Sequence, residues 1–278
     1  MGAQCCKIFV NNKKLLINEI NDFFRNMNHV KIEHENITKQ LKIKWKKNGI
    51  NQESFEIIIQ KLLINSNLNK NIYYDFWIKV YNHVINKTEF QNNIHEEFNG
   101  TQTYFNTNIS NIIYSMLILC KKNTISLKQN ISSLALGIFK QSNIFIKSKD
   151  GLKINVDKLF VKKLLFEYIS IITAYPLKFG LQFELNNSPD KDYLINKVFS
   201  YENINDFIDN ILLKYSKDCD YKKQNINNIK NSIDDNYELI STKDQYIDFD
   251  FVFDTLYNKY LFNNENLRNL IFNKYNFN

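Results

Sequence analysis

The sequence predicts a mainly α-helical protein, and three observations lead there. Gly (6) and Pro (2) are scarce among 278 residues, too few for the tight turns of an all-β fold or for glycine-rich phosphate loops. Apolar residues recur at spacings of three and four in one segment after another. Hydrophobic residues make up 44% of the chain and aromatic residues 14%, enough at this length to fill one large or two ordinary domains.

The composition is skewed: 44 Asn and 38 Ile stand against three Ala and two Arg, so Lys carries 34 of the 36 positive charges. An A/T-rich coding bias favours this set. Ile and Asn then fill helix positions that Ala, Leu or Arg fill elsewhere, so periodicity is a safer guide than propensity.

The elements follow in order. Leu16, Ile20, Phe23 and Met27 share one face of a helix over about 13–28. The stretch from Asn36 reads either as a helix or, at LKIKWKK (41–47), as an extended segment, and Asn48-Gly49 then breaks the chain. GINQESFEIIIQKLL (49–63) places Phe55, Ile58, Ile59 and Leu62 at helical spacing. Helices are predicted over about 69–86, with Tyr73, Trp77, Val80 and Val84 inward, and over 109–121, 127–140 and 157–175. Ser188-Pro189, a cap followed by proline, starts a helix to about 200. Asn203 or Asn205 begins another, holding Phe207, Ile208, Ile211 and Leu212. Residues 217–236 are polar, either a solvated helix or a linker. The C-terminal part reads as two short helices split near Asn263-Asn264, with Asp248, Asp250 and Asp254 as early carboxylates of the first. The organisation expected is an N-terminal segment (1–12), a first helical subdomain (13–100) and a second (109–278) with its polar insert at 217–236.

Two loops have the spacing of EF-hand links without the chemistry. With Ile50 as the apolar bridge residue, the ligand positions hold Ile43, Trp45, Lys47 and Ser54, with Asn48 at the glycine position. Calcium needs carboxylate or carbonyl oxygens there, so this loop is not expected to bind it. In KSKDGLKINVDKLF (147–160), Lys147, Lys149 and Lys158 fall at ligand positions. IFIKS and LKINV around Asp150-Gly151 read equally as a small β-hairpin near 144–156. The fold class is thus a helical bundle of degenerate EF-hand-like helix-loop-helix units, with room for one hairpin.

The MG start, the first helix, INQESF opening the next, the further helical units and the late IDFDFVFDTL segment resemble the degenerate EF-hand-like helical region that precedes the TLDc domain in N-myristoylated TLDc proteins. The likeness spans roughly 1–275, and the sequence ends where a TLDc domain would begin. It implies a role in membrane-associated signalling or assembly and transfers no catalytic residue.

MGAQCCK carries the main functional expectation. Gly2 is the acceptor of myristoylation; Cys6 stands where Ser or Thr is usual, and Lys7 follows. One myristoyl chain binds membranes marginally, and stable anchoring needs a second signal. Palmitoylation of Cys5 and Cys6 supplies it, with Lys7, Lys13 and Lys14 as membrane-proximal charges.

Other classes are poorly supported. The four histidines (His29, His34, His83, His95) form no zincin pair, and neither G-x-S-x-G nor a P-loop occurs. Cys120 and Cys219 lack a nucleophile's context or a partner for zinc. No enzyme, metal or cofactor is therefore expected. Sequons at Asn36, Asn86, Asn99, Asn108 and Asn130 are what this Asn content supplies by chance. With only Arg25 and Arg268 beside a net charge of +7, nucleic-acid reading is not expected. The longest apolar run, Leu164–Leu177, carries Glu167 and is too short to span a bilayer.

The expected function is a non-catalytic helical adaptor or scaffold, held to the cytoplasmic leaflet by its acyl chains and binding a protein partner. A soluble structural subunit of a cytoskeletal or ciliary assembly is the alternative, its lysines facing an acidic polymer. A calcium-responsive protein comes third.

Overall fold

The computed structural model describes residues 2–27, 52–63, 70–92, 112–113, 115–116, 118–119, 145–147, 154–179, 189–213, 246–248 and 263–276. Helices dominate them, and the chain is a mainly α bundle. The segments 36–47, 127–140, 217–236 and 249–262 lie outside the described residues, with Asn48-Gly49, His29, His34, His95, Cys120, Cys219, Asp250 and Asp254.

Helix α1 (Gly2–Met27) begins at Gly2 rather than near 13. No proline interrupts this stretch, and Ala3, Gln4 and Lys7 are good helix formers, so nothing stops the helix short. Leu16, Ile17, Ile20 and Phe24 are buried along it. Phe24 rather than Phe23 completes the stripe, continuing the spacing of four from Leu16 to Ile20; Phe23 is half-buried and stacks on Tyr73 at 4.5 Å. The Tyr73 hydroxyl donates to the Phe23 carbonyl at 2.9 Å.

Helices α2 (Gln52–Leu63) and α3 (Lys70–Asn92) pack together. Phe55 stacks on Tyr81 at 4.6 Å between them. Tyr73, Trp77, Val80 and Val84 are buried as their spacing predicts, and Phe76 and Tyr81 join them. Described residues within the segment expected as helix 109–121 are helical and buried, among them Ile112, Ile113, Met116 and Leu119.

Strands β1 (Phe145–Lys147) and β2 (Ile154–Asp157) pair antiparallel, Phe145 opposite Val156 and Lys147 opposite Ile154. That register is centred between Asp150 and Gly151, as in the hairpin reading of the segment. β3 (Tyr246–Asp248) pairs with the other side of β2, Asn155 opposite Asp248. Asp248 therefore belongs to a strand and not to a helix N-terminus; the period-two run Tyr246-Ile247-Asp248 presents Ile247 to the core.

β2 leads directly into α4 (Lys158–Ile172), with Val161, Leu164, Leu165, Tyr168, Ile169 and Ile172 buried. The helix breaks at Thr173 and resumes as α5 (Ala174–Lys178). Pro176 sits inside α5 rather than at its end, and it explains the break three residues earlier: proline has no N–H for the carbonyl four residues back, and its ring crowds that carbonyl. The Thr173 hydroxyl turns back to donate to the Ile169 carbonyl at 2.5 Å.

Helix α6 (Pro189–Tyr193) starts at the proline, as the cap signal predicts, and widens into a π turn (Leu194–Val198). Helix α7 follows over 201–213. Its cap is Ser200, whose hydroxyl accepts from the Asn203 N–H at 3.3 Å, so it opens earlier than Asn203 or Asn205. Phe207, Ile208, Ile211 and Leu212 are buried. Helix α8 (Asn264–Tyr275) is capped by Asn263, whose side chain accepts from the Asn266 N–H at 3.1 Å. α1 touches both α6 and α8, and one cluster of buried side chains includes residues from Leu16 to Tyr275.

Candidate functional site

The two arginines of this lysine-rich chain meet at one place, the contact of α1 with α8. Arg268 is fully buried. Its Nε donates to Asn21 Oδ1 at 2.7 Å, one Nη to Asn264 Oδ1 at 3.0 Å and the other to the Ile172 carbonyl at 3.0 Å. The guanidinium also lies 5.0 Å from the Phe24 ring centre. Burial pushes this group down to about 9, so it stays charged at neutral pH. A planar fork serves three acceptors lying in different directions, which the single nitrogen of a lysine reaches poorly.

One turn along α1, Arg25 grips Glu265 in bidentate fashion, Nε to Oε2 at 3.0 Å and Nη2 to Oε1 at 2.6 Å, and donates to Asp22 at 2.9 Å. The bond from Arg25, aided by its charge, holds the Glu265 carboxyl below its ordinary range. Arg25 is exposed and contributes orientation more than stability.

Further toward the N-terminus, Lys13 is only 6% exposed, with Nζ 3.6 Å from the centre of the Tyr193 ring. Burial lowers its affinity for the proton, and the Asp190 carboxylate opposes that shift. Lys13 therefore braces α6 from inside, instead of standing with exposed Lys14 as surface charge.

Tyr193 is also a wall of a cleft of about 660 Å³. Tyr193, Asn196 and Lys197 line it from α6 and the π turn, Ser200, Tyr201, Glu202 and Asn203 from the start of α7, and Tyr275 from α8. π turns are rare and recur at functional sites. Here the turn leaves carbonyls that the Asn203 amide caps, donating to Lys197 O at 2.5 Å and Val198 O at 3.4 Å. Tyr201 projects, 70% exposed. Tyr275 is fixed by donating to Asp206 Oδ2 at 2.5 Å, an oxygen that also accepts from Lys274 at 3.0 Å. Those two bonds, Tyr275 first, lower the Asp206 carboxyl below its ordinary range. Tyr193 donates to the Asn276 carbonyl at 3.2 Å. The lining combines aromatic faces, amides and one charge of each sign, Lys197 and Glu202.

Gly2, Cys5, Cys6 and Lys7 occupy the first two turns of α1; their side chains lie outside the described residues. Among the described residues no group of three His, Cys, Asp or Glu side chains is placed to hold a metal ion, and no helix is long and apolar enough to cross a membrane. The cleft was not legible in the sequence because no local pattern marks the π turn within 193–203 and Tyr275 joins that stretch from far along the chain. Its one local signal was Ser200 three residues before Asn203, the spacing of a cap. The arginine contacts carried a plainer signal, the rarity of arginine itself.

Comparison with protein-family models, curated proteins and solved structures yields no match to this chain.

Proposed function

We propose that the protein is a lipid-anchored helical adaptor: acyl chains on Gly2 and on Cys5 and Cys6 hold it to the cytoplasmic face of a membrane, and the cleft beside the π turn receives a polypeptide partner. The observation that carries this reading is the position of the three acceptors at the head of one helix, α1, whose other end is clasped to α8 by both arginines of the chain. An anchor on such a helix is continuous with the body instead of hanging from a loose tail. Two acyl signals meet the requirement for stable membrane residence that one chain does not. Lys7 and Lys14 add attraction to anionic lipid, on the order of 1 kcal/mol for each well-placed charge.

Fractionation of cells expressing the wild-type chain and Gly2→Ala tests the anchor. The wild type is expected with membranes and the variant in the soluble fraction; a variant that remains with membranes would refute anchoring through Gly2. The excess of lysine, 34 of 36 positive charges, favours a second reading, a structural subunit bound to an acidic filament. Salt-sensitive co-sedimentation of the unacylated chain with purified microtubules is its signature.

A further inference from the structure

We draw no further inference here: the strongest candidate, the face of α1 on which Gly2 and Cys6 stand in helical register with buried Ile20 and Phe24, carries nothing because nothing among the described residues shows what covers that face along the first turns of the helix.

Discussion

Arg268 donates to the Ile172 carbonyl at 3.0 Å, and that carbonyl is the one that Pro176, four residues further on, has no N–H to satisfy. A chain with two prolines and two arginines has placed one of each at a single helix break. The proline ends α4, and the buried guanidinium caps what the proline leaves open while tying α8 and α1 to the same point.

Replacement of Arg268 by lysine is expected to destabilise the fold by about 2–4 kcal/mol, because buried acceptors on Asn21, Asn264 and Ile172 lose partners while a desolvated charge remains. Urea denaturation gives the shift in midpoint. A loss under about 0.5 kcal/mol, typical of surface changes, would mean that the fork is dispensable.

Pro176→Ala restores an N–H within reach of the Ile172 carbonyl, so the cost of Arg268→Lys is expected to fall by about 1 kcal/mol in that background. A double-mutant cycle on the same denaturation measurement reads the coupling. Strict additivity would detach the arginine from the proline break.

The Glu265 carboxyl is held below its ordinary value of 4.5 by the bond and charge of Arg25. A carboxyl with a depressed native value contributes stability that is full above the unfolded value and is lost as pH falls through the native one. Glu265→Gln is therefore expected to lose less stability than the wild type between about pH 6 and pH 3, and to lie slightly below it near neutrality. Denaturation midpoints across that range check both parts. The effect is small because Arg25 is exposed.

Asn263→Ala removes the acceptor for the Asn266 N–H at the start of α8, at an expected cost of about 1 kcal/mol. Asn263→Asp is expected to preserve stability, since a carboxylate caps a helix N-terminus at least as well. Thermal unfolding of the two variants distinguishes a cap from a bystander.

The helices were legible where a buried stripe repeats at helical spacing, as at Leu16 and Ile20 or Tyr73, Trp77, Val80 and Val84, because core burial imposes that period whatever the coding bias. The hairpin was legible from Asp150-Gly151, about which its register is centred. What periodicity does not encode was missed. Lys13 belongs by spacing to the buried stripe, yet its charge marked it for the surface; the Tyr193 ring across the interface and the charge of Asp190 favour the buried ammonium. Pro176 marked a break, but the break falls earlier because proline acts on the carbonyl four residues back. The two arginines were weighed as readers of nucleic acid, whereas their rarity pointed to places where lysine's geometry fails. The cleft depends on Tyr275 of α8 meeting the stretch 193–203, a relation that no local pattern in the sequence records.

Intact-mass spectrometry of the protein purified from its native cell tests the anchor most directly. The expected result is a chain lacking Met1 and bearing one myristoyl group on Gly2, with thioester-linked palmitate on Cys5, Cys6 or both that hydroxylamine removes. A chain with an unmodified Gly2 would contradict the lipid-anchored reading.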